Sequence, residues 1–371
     1  MPIYKQKEKK DGLNKYLVRV NYTDSYGKHK QLTRTAYGKD EAKELERQLE
    51  KQVKEKSLVT DMTVRQLIEE FLKNSKADIR ETTYRKYDKN FRLHITPHIG
   101  TVKLSKLNAK TLTDWKNDIN DKKLALQTRK SIYSDFRAAL NYAVKMEYLP
   151  INPINKVENF KDAYYQEKTI DFYTPDEFKL FIKSALENAV ITGYYDYYIF
   201  FMLAYYTGAR KGEIHALRWN CIDKDRLHIK KSISQKIKGD DVETPPKNKS
   251  SIRTIAMPQP LINALNEHKE RQQQTNPKWK DTAFICGFSR PLRDTSIEEQ
   301  NKEFAKRAKL KKIRIHDFRH SHASLLINNH VNPLEVANRL GHSTVDQTLK
   351  TYAHLFPNEE QKTIEILNKI V

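Results

Sequence analysis

His316-Asp317-Phe318-Arg319-His320-Ser321-His322-Ala323, then Leu340-Gly341-His342, then Thr351-Tyr352-Ala353-His354 set a histidine, an arginine, a second histidine and a tyrosine at the boundaries of expected elements. His316 lies three residues before Arg319, a spacing that puts both on one side of a first helical turn. Gly341 allows a tight turn after a short apolar helix, and His342 follows it directly. A second stretch upstream, Thr207-Gly208-Ala209-Arg210-Lys211-Gly212-Glu213-Ile214, ends a long apolar helix at another glycine and presents Arg210 just beyond it.

An arginine at a buried helix end is either ion-paired or binds an anion. Two of them, Arg210 and Arg319, can grip the non-bridging oxygens of one phosphate through forked hydrogen bonds. That grip stabilises the charge that builds in phosphoryl transfer. Tyr352 is a candidate nucleophile, although a phenol with a pKa of about 10 attacks poorly at neutral pH. Flanking arginines and a histidine that accepts its proton, with His316 and His342 at hand, remove that obstacle. A departing sugar 5′-oxygen needs an acid, and Lys247, in a polar loop between two expected strands, is a fitting donor. No Asp/Glu cluster with magnesium spacing and no glycine-rich nucleotide loop accompanies these residues, so no metal and no cofactor are expected. A covalent phosphotyrosine conserves the bond energy, so ATP is not needed. Taken singly, one tyrosine among twenty, a lone histidine or any one arginine is ordinarily a packing or ion-pair residue. The coincidence of spacings and turns is what points to a site.

The whole chain agrees with a polyanionic partner. Its formal net charge is +21, which favours nucleic acid or an anionic membrane surface. No run of eighteen apolar residues could span a bilayer, and the N-terminus has no apolar signal core. A soluble, cytoplasmic protein without a membrane partner is expected. The two cysteines, Cys221 and Cys286, argue against a disulfide framework or a cysteine zinc site and read as small core residues.

Taken from the N-terminus, residues 1–57 predict a small sheet on one helix. Tyr16–Tyr22 alternates, Thr23–Lys28 has turn chemistry, and His29–Thr35 returns as a second strand. A helix over about 41–56 carries Ala42, Leu45, Leu49 and Val53 as one stripe. Its exposed strand face is expected to carry Arg19, Asn21, Lys30 and Arg34; such a sheet can enter a major groove, or the charges are simply solvated. Ser57–Thr63 reads as a linker. Helices then follow from Thr63, over 80–94, 108–121 and 126–146, the last ended by Pro150 and Pro153, making an all-helical domain of 63–158. Arg80, Thr82, Thr83, Tyr84, Lys86, Arg129 and Lys130 lie near helix starts, where they suit phosphate contacts or ordinary capping. After a second linker, a domain of 170–371 opens with Thr174-Pro175-Asp176-Glu177, a strong helix start. Within it, Arg226–Ser234 and Ser251–Met257 read as one hairpin, and helices recur over 260–273, 295–310, 317–329, 333–340, 345–351 and 358–370. The fold class is thus multidomain and mainly α with small β-sheets.

These residues resemble the tyrosine recombinase (phage integrase) family, and the resemblance covers nearly the whole chain. The Arg210 stretch is similar to its first box, the His316–Arg319 stretch to its second. Leu340-Gly341-His342 resembles the His/Trp position, and Thr351-Tyr352 the nucleophile segment. The segment Pro246–Thr254 resembles the one bearing the catalytic lysine, with Lys247 fitting best and Lys249 the alternative. The resemblance implies that Glu213 is a supporting acid, and that His320, His322 and His354 pack or make supporting hydrogen bonds. It implies an α+β arm-binding domain at 1–57, an all-α core-binding domain at 63–158 and a mostly helical catalytic domain, similar to integrases of phages and conjugative transposons of Gram-positive bacteria. The expected partners are double-stranded DNA at core and arm sites, three further copies of the chain in a tetramer, and an excisionase or DNA-bending protein. Strand exchange would pass through a 3′-phosphotyrosine and a Holliday junction. The C-terminal segment, with Ile364, Ile366, Leu367 and Ile370, would dock on a neighbouring protomer or pack on its own chain. Competing expectations are a Xer-like resolvase or topoisomerase-like enzyme of the same chemistry, and a non-catalytic DNA-binding regulator on the same scaffold.

Overall fold

The structure is a computed structural model that describes residues 3–10, 13–23, 29–60, 62–162, 171–235, 241–244, 249–352, 364, 367 and 368. The chain divides into two units, Met1–Gln166 and Glu167–Val371.

In the first unit, β1 (Ile3–Lys10), β2 (Leu13–Thr23) and β3 (His29–Tyr37) form an antiparallel sheet in that order. The lysine-rich β1 has no apolar alternation of its own. It forms because β2 offers an unpaired edge, against which Ile3 pairs with Val18 and Tyr4 with Leu17. One sheet face packs Val18, Val20, Leu32 and Ala36 on Ala42, Leu45 and Leu49 of α1 (Lys39–Thr60). That helix runs through residues 57–60, so the expected linker is helical there; Ser57, Leu58 and Val59 carry no Gly or Pro to stop it.

A larger core lies in α2 (Val64–Ser75), α3 (Glu81–His94), α4 (Thr96–Ile99), α5 (Ala109–Asp121) and α6 (Leu126–Lys145). Thr63 caps α2 in a reciprocal capping box with Gln66, and Asn108 caps α5 by accepting from Thr111 N. Trp115, fully buried with Phe91 and Phe136, donates its indole N–H to His94 O at 2.9 Å. That bond meets the polar need of the largest ring in the cluster.

The second unit begins as its sequence dictates. Thr174 and Glu177 form a capping box around Pro175 at the start of α7 (Pro175–Thr192). α8 (Asp196–Thr207) is apolar all round, which only a central helix tolerates, and α7, α10 (Gln259–Thr275) and α12 (Asp317–Asn328) all pack on it. Phe181, Phe201 and Phe318 meet pairwise with ring centroids 5.0 to 5.2 Å apart. Each such ring contributes roughly 1.5–3 kcal/mol on burial, which fixes α12 to the core and leaves the side chains beyond it free for chemistry. α9 (Lys211–His215) follows the turn at the end of α8.

The expected long hairpin is two separate pairings. β4 (Ile222–Asp223) and β5 (Arg226–Ile229) form a sheet with β8 (Arg253–Ala256), while β6 (Ser232–Ser234) pairs with β7 (Val242–Thr244). Lys230-Lys231 separates the two: Lys231 would continue the buried face that Leu227 and Ile229 occupy, and it is exposed instead. The remaining helices are α11 (Asp294–Arg307), α13 (Pro333–Leu340) and α14 (Val345–Tyr352). Cys286 is buried and Cys221 half-buried, and both are free thiols. Among the described residues no helix is long and apolar enough to cross a membrane.

Candidate active site

Gly208, with φ +61°, terminates α8 in the left-handed region; a Cβ there would come within 2.7 Å of His322. The chain can therefore turn at once into Arg210, the N-cap of α9. Arg210 donates from Nη1 to Glu213 Oε1 at 2.8 Å and from Nη2 to Gly341 O at 3.3 Å. Glu213 is buried, and its other oxygen accepts from Arg253 Nη2 at 2.9 Å. Burial would raise its pKa, but Arg253 and Arg210 outweigh that and hold the carboxyl below its usual range. The same Arg253 donates from Nε to Arg339 O at 2.7 Å, tying β8 to the end of α13. Gly341 closes that helix at φ +68°, and His342 follows with Nδ1 2.7 Å from Thr348 Oγ1 on α14.

Arg319 enters from α12 and is 3% exposed. Its Nη1 donates to Gly208 O at 2.8 Å, whereas the buried Nη2 meets no acceptor among the described residues. No carboxylate pairs with it there; Glu213 is taken by Arg210 and Arg253. Burial and the charges of Arg210 and Arg253 weaken its hold on the proton, while Glu213 and Tyr352 oppose this. A phosphate at that place would relieve the repulsion among all three guanidiniums.

His316 stands at the N-cap position of α12 without a capping side-chain bond, and its ring packs edge-on against His320 with centroids 5.0 Å apart. Burial, then Arg319, keeps His316 below the ordinary imidazole range despite Asp317. His342 is pushed down to about 4 by burial and by Arg319, Arg210 and Arg253. Tyr352, 1% exposed, is pushed up to about 12, mainly by burial; Arg319 opposes the shift. Its hydroxyl lies 2.6 Å from His320 Nδ1. Arg210, Glu213, His316, Arg319, His342 and Tyr352 thus converge on one pocket. Lys247, with Pro246, Asn248 and His354, lies outside the described residues, as does the side chain of Lys249.

Four participants carried no assigned role or a lesser one in the sequence. Arg253 is an arginine placed alternately with buried Ile255 on a strand, a weak signal of an inward cation. Arg339 donates to His322 Nε2 at 3.1 Å and to Tyr206 O at 3.1 Å, pinning α13. Thr348 orients His342. His320, expected to support or pack, touches the tyrosine hydroxyl itself.

The residues expected to meet DNA elsewhere lie in the first unit, and the register corrects one grouping. Arg19 pairs with Thr33 and Asn21 with Gln31, whereas Lys30 pairs with Tyr22 and Arg34 with Val18. Because cross-strand partners share a face, Arg19 and Asn21 occupy the outer face and Lys30 and Arg34 the helix-bearing one. Asn21 Oδ1 accepts from Gln31 Nε2 at 2.9 Å on the outer face. Arg80 is the N-cap of α3, with Thr82 and Tyr84 in its first turn. Lys86 is held by Asp135 at 2.7 Å, and Arg129 by Asn120 at 2.6 Å, while Lys130 stays half-exposed.

Residues 172–359 match the phage integrase family, and residues 63–120 match the phage integrase N-terminal SAM-like domain. The ICEBs1 integrase of Bacillus subtilis is 29% identical over 340 residues, covering 89% of this chain and 90% of that protein. A "Tyrosine recombinase XerC-like" protein of Caldanaerobacter subterraneus is 27% identical over 78% of each chain. The fold is shared with the Tn1549 transposon integrase solved with a circular intermediate DNA, at a TM-score of 0.68, 18% identity and coverage of 82% of this chain and 99% of that one. It is shared too with a lambda integrase tetramer bound to a Holliday junction, at 0.55, 17% identity and 94% of each chain. With more than half of its length matched in two consecutive segments, and with the family's boxes meeting in one pocket, the chain belongs to the phage integrase family, the tyrosine recombinases that cleave and rejoin DNA.

Proposed function

We propose that the chain is the integrase of a mobile element, joining and excising it at specific DNA sites through a covalent 3′-phosphotyrosine and a Holliday junction. The observation that carries this is the open Nη2 of Arg319, buried beside Arg210, His342 and the Tyr352 hydroxyl. A buried guanidinium arm without an acceptor is costly, and a scissile phosphate satisfies it. Arg210 and Arg319 hold the non-bridging oxygens, Glu213 and Arg253 fix Arg210, and His342 adds a neutral hydrogen bond. Tyr352 attacks phosphorus, and Lys247, or Lys249 in its place, protonates the departing 5′-oxygen. Charge is stabilised by arginine and histidine, so the step needs neither metal nor ATP.

The relatives support the wider reading. They include the ICEBs1 integrase, a transposon integrase solved with a circular intermediate DNA, and a lambda integrase tetramer solved on a Holliday junction. By analogy four copies act in the cytoplasm on two core sites, residues 63–158 grip the core site, and the outer face of the β1–β3 sheet reads an arm site. An excisionase or DNA-bending protein would set direction, and the C-terminal segment would dock on a neighbour or its own chain.

The test is a nicked suicide duplex spanning the joined ends of the encoding element. It should trap a protein–DNA adduct, in EDTA as well as in magnesium. Tyr352→Phe should trap none; an adduct from that variant would refute the assignment of the nucleophile. Absence of any adduct from the parent protein, with binding intact, would favour a regulator instead.

A further inference from the structure

We propose that His320 is itself a catalytic residue, whose Nδ1 takes the phenolic proton of Tyr352 as the hydroxyl attacks phosphorus. This rests on Tyr352 being the nucleophile. The distance of 2.6 Å from Nδ1 to Oη is a short hydrogen bond between two groups largely withdrawn from solvent. Among the described residues the Tyr352 hydroxyl makes no other hydrogen bond, and for Nδ1 to accept its proton the neutral ring must carry its own hydrogen on Nε2. His316, the histidine of the His-x-x-Arg segment, makes no hydrogen bond to Tyr352 there; it packs edge-on against His320.

Position along α12 explains why. His316 and His320 stand one helical turn apart, so both rise on the same side, and His320 is the one that reaches the end of α14. The groups facing His320 are His316, Asp317, Arg319, Arg314 and Tyr352. Burial and the cationic balance of these neighbours hold the imidazole down to about 4, against the pull of Asp317, so the ring stands neutral in the free protein; the negative charge of a phosphate at Arg319 would raise its basicity for the step.

In the step, the Oη–phosphorus bond forms, the phosphorus–O5′ bond breaks, and the phenolic proton passes to Nδ1, making an imidazolium. The 5′-oxygen takes its proton from the separate acid. On rejoining, the 5′-hydroxyl attacks, Oη leaves, and Nδ1 returns the proton to it.

The experiment uses the full chain on the nicked duplex described above, made once with the ordinary 5′-oxygen and once with a bridging 5′-sulfur, which departs without an acid. His320→Ala is expected to form adduct about 10²–10⁴-fold more slowly on both duplexes, with added imidazole restoring part of the rate. His320→Asn keeps a hydrogen-bonding atom near Nδ1 but cannot carry the proton; it should bind the duplex like the parent and cleave as slowly as His320→Ala. Parental rates from either variant, rescue by the sulfur alone, or a slow rate that imidazole leaves unchanged would overturn the proposal. Tyr352→Phe runs in parallel. An adduct from it removes the nucleophile assignment, whereas no adduct from it beside a fast His320→Ala removes only the role of His320.

Discussion

Arg319 is a buried cation with one arm satisfied by Gly208 O and one arm open. Lysine cannot reproduce that fork. Arg319→Lys and Arg319→Ala should each lower adduct formation by about 10²–10³-fold while DNA affinity changes far less. Comparing gel-shift affinity with adduct rate checks this, and equal losses in both would reduce Arg319 to a binding residue. The histidines make a second residue-scale prediction. His320, His322 and His342 are held down to about 4, 3 and 4, each first by burial, whereas an unfolded histidine titrates near 6.5. Between these values the unfolded chain binds more protons, so stability rises with pH. It is fully present above about pH 6.5 and is lost as pH falls toward 4 and below. Each histidine contributes at most about 1.4 kcal/mol per pH unit in that window. Urea unfolding at pH 7, 6 and 5 should show the loss, and His322→Gln should flatten it; an unchanged slope in that variant would remove His322 from the account.

At the level of elements, the pocket is held by ties between chain segments remote in sequence. Arg253 joins β8 to α9 through Glu213 and to α13 through Arg339 O. Arg253→Met would leave the Glu213 carboxylate buried with half its compensation, so we expect a loss of roughly 3–5 kcal/mol in denaturant unfolding. A loss below about 1 kcal/mol would mean that Arg210 alone suffices for Glu213. Gly341 is the second tie, since the αL turn there both ends α13 and faces Arg210 Nη2 with its carbonyl. A Cβ at Gly341 would stand 3.0 Å from Arg253 Nη1, on backbone that other residues rarely adopt. Gly341→Ala should cost about 1–2 kcal/mol and slow cleavage as His342 shifts. Measuring both separates the strain from the chemistry.

On the scale of the whole molecule, the charge of +21 predicts binding that weakens steeply with salt, through release of counterions from phosphates. A flat response in titrations between 50 and 200 mM salt would contradict it. Removing residues 1–57 should spare core-site cleavage and impair integration, because the pocket belongs to the second unit alone. Full integration without that segment would end the arm-binding reading.

Much of the molecule was legible in the sequence because local physics fixes it. The Thr174-Pro175 start, the period of α2, α3, α5 and α6, and the glycines that end α8 and α13 depend on caps, periodicity and backbone sterics, all of which act within a few residues. Arg210, His316, Arg319, His342 and Tyr352 could be picked out because each sits next to such a boundary. What the sequence left open depended on partners distant along the chain. β1 exists only because β2 lends it an edge, and the two faces of the β2–β3 ribbon were settled by a register that moved Lys30 and Arg34 away from Arg19 and Asn21. Arg253 and His320 look like ordinary surface and packing residues until β8 meets α9 and the end of α14 reaches α12. Hydrogen bonds of 2.6 to 2.9 Å between side chains dozens of residues apart are decided by packing of whole helices, which no local pattern encodes.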